Sequence, residues 1–513
     1  MSARPLRWPF HLLWMSLYPV VALLAANLGQ VKPSLGVRAA LVSTILALAV
    51  VLLSWVLVCS WERAAVLATG GLFLFYSYGH VYNALHSLDR GLGRHRYLVP
   101  VFGLLALGLY LWVRRRPSLG PTATPLLNVG LALALAVPLI RMLFFRGFAL
   151  EQAVQTEGLQ GTRLNFSGEW PPPDIYYLLL DAYTRADTLI ETYDFDNHEF
   201  IETLQGLGFY VAECGQSNYS QTELSLSATL NATYLDELID PSQQGGQDRA
   251  QLWPWLRHNQ VRTLLEQFGY STVAVETGYY WSEWEDADDY RAPQRGWLAG
   301  MSAFEATLAR STAAWAAIDA LPVLPAFLVR DLDRSTEAHR ERVSFVLDTL
   351  EQLPREPGPK FVFIHLVSPH RPFVFDAAGN PVDDDYTWQL SSLGVESYKQ
   401  GYREQIAYLN GRIENIVRTM ISESAVPPVI VMQGDHGPEE GSSQDRMHIL
   451  NAMYLAGHGS DGLYPTITSV NTFRVIFNTL FEAGLPLLPD ASYFSTYDDP
   501  FNYQTVANDC TAN

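Results

Sequence analysis

The sequence predicts a two-part protein: an N-terminal α-helical membrane domain of about five transmembrane helices, then an α/β domain with a mostly parallel central sheet. Three observations carry this expectation. The first 150 residues hold five apolar stretches in succession with almost no charge. Beyond residue 170, short apolar runs rich in β-branched and aromatic residues alternate with amphipathic helical patterns, as in a sheet covered on both faces. Four of those runs stop abruptly at polar, potentially reactive residues, as strands do where their carboxyl ends open on a ligand crevice.

The apolar stretches come first. Trp8–Leu28 holds no Asp, Glu, Lys or Arg, and Ala39–Cys59 is uncharged over 21 residues. Ala64–Ala84 holds no Asp, Glu, Lys or Arg and one histidine, His80; Tyr97–Val113 is uncharged; Pro125–Ile140 runs up to Arg141. Crossing a ~30 Å hydrocarbon layer takes about 20 mostly apolar residues, so the middle stretches fit well and the last is short. One such stretch at an N-terminus would read as a signal sequence; five do not. An odd number of spans puts the chain ends on opposite sides. Arg4, Arg7, Arg63 and Arg114–Arg116 fall on one side, against Lys32, Arg38, Arg90, Arg94 and Arg96 on the other. The uninterrupted triple Arg anchors the inner side and leaves the α/β domain extracytoplasmic.

Residues 1–147 thus form the membrane domain. Residues 148–172, followed by a proline at 173 that completes Pro171-Pro172-Pro173, read as a linker, and 173–513 as the second domain. The net charge of −19 comes from acid in the second domain, because the first carries more Arg and Lys than acid. That balance excludes nucleic acid as an expected partner.

The runs of the second domain follow in order. Asp174–Leu180 leads into Asp181-Ala182-Tyr183-Thr184, and Tyr270–Val275 into Glu276-Thr277-Gly278-Tyr279. Lys360–Val367 leads into Ser368-Pro369-His370-Arg371-Pro372-Phe373, and Pro428–Met432 into Gln433-Gly434-Asp435-His436-Gly437. Near-continuous apolar runs mark strands buried on both faces. Asp435 beside His436 offers a hard and a borderline donor to one divalent cation, although such a turn can also simply close a strand. Helical spacing of three and four recurs over Val395–Ile421, Glu337–Leu353 and Val261–Phe268.

A hydroxyl stands at the start of another helix, within Asn218-Tyr219-Ser220-Gln221-Thr222-Glu223-Leu224. There it sits beside unpaired N–H groups suited to a phosphate or sulfate. Ser and Thr are equally the residues of an ordinary helix cap.

Together these motifs resemble the alkaline phosphatase superfamily, in its sulfatase-like branch. The sequence is most similar to membrane-anchored enzymes of the lipoteichoic acid synthase and phosphoethanolamine transferase types. The likeness spans roughly residues 173–490 and rests on the order of marks: Asp181, the Ser-Gln-Thr turn, Ser-Pro-His-Arg-Pro-Phe, Gly-Asp-His-Gly, then 446–455 and 464–478. It implies one divalent metal ion (Mn, Mg, Zn or Ca) held by Asp181, Thr222, Asp435 and His436, with Thr222 the nucleophile and His370 facing the substrate. Trp281 and Trp284 would line the headgroup pocket opposite His370 and Arg446, or else be packed aromatics of a loop.

The formylglycine signature of true sulfatases is missing: Cys214 is followed by Gly-Gln-Ser-Asn, without the expected Pro or Arg. Thr184 is a competing nucleophile, and His448 and His458 are spare histidines. Cys214 and Cys510 form a disulfide only if the fold brings them together. The expected activity is metal-dependent phosphoryl transfer to or from a membrane lipid or glycan through a phosphothreonine. A phosphatase, a phosphodiesterase or a sulfuric ester hydrolase of the same superfamily is the alternative.

Overall fold

A computed structural model describes residues 8–28, 31–88, 93–151, 159, 161–168, 171–239, 249–294, 302–316, 335–382, 395–455 and 457–510. The chain divides into two compact units, Met1–Phe148 with Gly296–Ser335, and Ala149–Arg295 with Thr336–Asn513.

The first unit is helical. Its helices are His11–Ala26, Leu35–Val58, Trp61–Leu88, His95–Arg115 and Leu119–Glu151. Four reach the length and apolarity needed to cross a membrane: Leu35–Val58, Trp61–His86, His95–Arg115 and Leu119–Phe144. The first helix is shorter than the apolar stretch that holds it. Its 16 residues extend about 24 Å, because Trp8–Phe10 precede the helix and it ends before Asn27. The last helix is longer than its stretch, since Arg141 ends an apolar run without breaking a helical backbone. On Leu35–Val58, Val51 is 1% exposed while Leu52 and Val56 are 57% and 66% exposed. A helix with large aliphatic side chains turned outward on most sides suits hydrocarbon surroundings, not water.

Gly296–Ser335, which the sequence division placed within 173–513, groups with these helices. It contributes the helix Ala303–Arg310, which begins with a capping box between Ser302 and Glu305. The same Glu305 carboxylate receives both arms of the Arg38 guanidinium, with Nε to Oε1 at 2.6 Å.

The second unit is an α/β domain. Its main sheet has seven strands: β1 (Ile175–Leu180), β2 (Tyr210–Val211), β3 (Ser271–Val275), β4 (Asp289–Arg291), β5 (Lys360–Leu366), β6 (Val429–Gln433) and β7 (Asn451–Leu455). They lie in the order β2-β7-β6-β1-β5-β3-β4. From β6 to β4 every neighbouring pair is parallel; β7 runs antiparallel to β6 and to β2. A hairpin of β8 (Ser492–Thr496) and β9 (Asp499–Val506) forms a second sheet.

Burial explains why the central strands were readable. All six residues of β1 and all seven of β5 are buried, so neither face needs a polar residue. Lys360 and His365 are the polar exceptions in β5; Lys360 Nζ is paired with Asp174. The helix Val395–Glu423 buries Tyr402, Ile406, Leu409, Ile413, Ile416 and Met420, the stripe that its spacing predicts. With β1 central and its parallel neighbours β5 and β6 on either side, three carboxyl ends open on one crevice.

Candidate active site

The crevice is built by close approaches. After β1, the Asp181 N–H donates to Leu366 O (3.0 Å) and the His370 N–H to Asp181 O (2.9 Å). The ends of β1 and β5 are thereby stitched together. Ala182 adopts a left-handed conformation (φ +64°), unfavourable for a residue with a Cβ. In that conformation its N–H donates to Asp435 Oδ1 (3.0 Å), tying the end of β1 to the end of β6. The two glycines of the Gly-Asp-His-Gly turn are needed for space. A Cβ at Gly434 would lie 2.3 Å from Tyr183 O, and one at Gly437 only 2.0 Å from Asp445 O.

Asp181, Asp435 and His436 converge, with one potential ligand atom from each lying within 4.8 Å of the others, and all three residues buried. His436 Nδ1 donates to Gly437 O (2.8 Å), so Nε2 carries the lone pair. That nitrogen lies 3.1 Å from Asp435 Oδ2 and 3.9 Å from Asp181 Oδ1. Both of these carboxylate oxygens are buried without a hydrogen-bond partner among the described residues. Two unpartnered carboxylate oxygens facing an imidazole lone pair in a dry site repel one another unless a cation lies between them. The donor set fits a divalent metal ion. Burial opposes ionisation of Asp181, but His370, His365 and His436 facing it hold its carboxyl below the usual carboxylate range. Burial, then the neighbouring Arg446, lowers the pKa of His436, favouring the neutral imidazole that a metal requires.

Thr222 is the first residue of the helix Thr222–Asn231, whose N-cap is Gln221. Its hydroxyl is therefore not the cap. Instead Oγ1 lies 3.1 Å from His436 Nε2. The helix is held firmly: every residue from Leu224 to Asn231 is buried. Thr184 faces another way, its hydroxyl donating to His448 O (3.0 Å).

Arg446 spans the site. Its Nε donates to Ser220 O (2.9 Å), Nη1 to Gly437 O (2.8 Å), and Nη2 lies 3.1 Å from His436 Nε2. It clamps the loop before Thr222 to the Gly-Asp-His-Gly turn. His370 is at the rim, its ring 6.5 Å from that of His436 and its Nε2 3.6 Å from Glu439, which also pairs with Arg371 (2.8 Å).

The two tryptophans are buried. Trp284 is 1% exposed, stacks 4.2 Å from Phe363, and donates its indole N–H to Leu256 O (2.9 Å). These are core contacts. Trp281 packs 5.8 Å from His365 and reaches the cluster only through that ring. His448 belongs to a separate network with Thr188 Oγ1 (2.7 Å) and Arg185 Nη2 (3.3 Å), and His458 is exposed in a turn. Cys214 and Cys510 form a disulfide with Cα atoms 5.5 Å apart.

No protein-family model matches the chain, and neither does any curated protein. Solved structures do. The integral membrane lipooligosaccharide phosphoethanolamine transferase A from Neisseria meningitidis matches at 11% identity and TM-score 0.41, covering 92% of this chain and 95% of that one. The C-terminal periplasmic domain of EcEptC from Escherichia coli, in complex with Zn, matches at 11% identity and TM-score 0.40, covering 66% and 93%. A 2-O GAG sulfatase matches at 10% identity and TM-score 0.38, covering 62% and 72%. Identities of this size leave each site residue to be judged on its own geometry.

Proposed function

We propose that this chain is a sulfatase-like, metal-dependent phosphoryl transferase of the alkaline phosphatase type, acting on a membrane lipid or glycan through a phosphothreonine. The observation that carries the reading is the Thr222 hydroxyl, at a helix N-terminus and 3.1 Å from the imidazole of a buried Asp-Asp-His cluster. Asp181, Asp435 and His436 would hold one divalent ion, with Thr222 Oγ1 beside them. When bound, such an ion supplies a Lewis-acid charge that lowers the hydroxyl pKa and stabilises the phosphoryl oxygens.

Thr222 Oγ1 attacks phosphorus, the bond to the leaving alcohol breaks, and a phosphothreonine forms. The N–H groups of the first helical turn receive the phosphoryl oxygens. Arg446, whose Nη2 lies 3.1 Å from His436 Nε2, would donate to the phosphoryl group. The proton leaving Thr222 Oγ1 passes to water and the departing alkoxide takes one from water, while His370, at the rim, would face the substrate. An alcohol then attacks the phosphothreonine and restores Thr222. Phosphoglycerol or phosphoethanolamine headgroups are the donors that the resemblance favours.

The full-length protein, incubated with phosphatidylethanolamine or phosphatidylglycerol vesicles, should gain the phosphoryl headgroup on the peptide holding Thr222, as read by mass spectrometry. Passage of that label to an alcohol acceptor supports the transferase. Passage to water alone makes the enzyme a phosphatase or phosphodiesterase.

The α/β unit is proposed to be extracytoplasmic, with the N-terminus inside. Protease added to spheroplasts should then cut beyond residue 150, and full protection of that region would overturn the orientation.

A further inference from the structure

We infer that His365 is a positioning residue that fixes the Asp181 carboxylate so that one oxygen, Oδ1, is presented to the metal. The inference rests on the metal site proposed above.

His365 interrupts the apolar run that follows Lys360 in β5, and its side chain is fully buried. Burying an imidazole in a strand core is costly unless both ring nitrogens find partners. They do. Nε2 lies 3.2 Å from Asp181 Oδ2, and Nδ1 lies 3.2 Å from Ser282 Oγ. Ser282 Oγ is in turn 2.8 Å from Thr277 Oγ1. An ionised carboxylate only accepts, so Nε2 donates to it, while Nδ1 meets the Ser282 hydroxyl, which also donates to Tyr279 O (3.2 Å). Ser282 thus holds the far side of the ring while the near side donates to Asp181. The ring cannot turn freely, because Trp281 packs 5.8 Å away and Tyr279 lies nearly parallel at 6.3 Å.

Asp181 is fixed at three points. Its N–H and C=O are bound to Leu366 and His370, and Oδ2 to His365. Only Oδ1 is left, buried and facing His436 Nε2. Such an arrangement favours a single-oxygen ligand in a fixed rotamer. Without the His365 donor, the carboxylate could rotate about Cβ–Cγ and Oδ2 would lose its partner. Outer partners of metal ligands of this kind are commonly worth 10–100-fold in metal affinity.

The test is titration of Zn²⁺ or Mn²⁺ alone into the metal-stripped full-length protein in detergent. His365→Phe should weaken the dissociation constant by roughly 10–100-fold. His365→Gln, which keeps an N–H donor, should recover most of that loss. Ser282→Ala should weaken it less, in the same direction. If the Phe variant does not fold, the Gln and Ser282→Ala variants still decide, since wild-type affinity in Ser282→Ala with loss in Gln overturns the inference. Equal affinity in wild type and His365→Phe removes this inference alone. A loss in Phe that Gln does not recover marks His365 as a packing residue and also overturns it. No uptake by wild type removes the metal reading, and this inference with it.

Discussion

Thr222→Ala should lower turnover on the order of 10³-fold or more while leaving metal uptake and the melting temperature close to wild type. The size follows from removing the atom that forms the covalent bond. The sparing of the fold follows from position: Thr222 is the first helical residue, the cap is Gln221, and Ala is the best helix former. The hydroxyl's described contact is with His436 Nε2, which a metal would take over. Thr222→Ser should retain measurable activity because the nucleophile survives. Steady-state rates, metal content and peptide mass on one preparation decide. A phosphoryl label on Thr184 with Thr222 unmodified would refute the assignment. The geometry argues against that result, since the Thr184 hydroxyl is committed to His448 O.

Asp435→Ala should abolish metal uptake and activity together, and should also destabilise the stripped protein. Asp435 performs two tasks with two oxygens. Oδ2 faces His436, while Oδ1 accepts the N–H of the left-handed Ala182. Removing the side chain leaves that N–H buried and unpaired, a cost of about 1–3 kcal/mol. Asp435→Asn separates the tasks: its amide oxygen can still accept from Ala182, but the charge is gone. It should lose metal with less loss of stability. Thermal unfolding with and without metal reads both effects. Wild type at a metal concentration of 100 times its dissociation constant gains about 2.7 kcal/mol, and neither variant should gain it. Full activity in metal-free Asp435→Ala would sink the site.

Much of this was legible because the informative strands are central. β1, β5 and β6 are buried on both faces, so their sequences are mostly apolar runs and the polar residues that follow them stand out. The two edge strands carry no such signal. β2 has two residues, and β4 reads Asp-Tyr-Arg and is only half-buried. The hairpin of β8 and β9 is partly exposed and mixes polar with aromatic residues.

Within the site, Thr222 and His436 lie 214 positions apart, and no local pattern pairs them; the order of motifs did. Trp281 and Trp284 show the opposite limit. They follow a strand end, but whether an aromatic there faces the crevice or the core depends on the turn between, which composition does not specify. His365 was missed although it carried a signal, an imidazole set between Ile364 and Leu366 in a buried strand.

The helix Ala303–Arg310 has a practical consequence. The backbone passes between the two units three times, near residues 148, 295 and 335. The α/β unit is therefore not a bead at the end of a string that one cut releases. A soluble fragment starting near residue 150 would carry 296–335 along, with Glu305 deprived of Arg38 and Phe304 of the apolar neighbours Val20, Leu24 and Ala39. Excision would create a sticky surface of its own, and preparing the α/β unit alone calls for removing 296–335 together with 1–148.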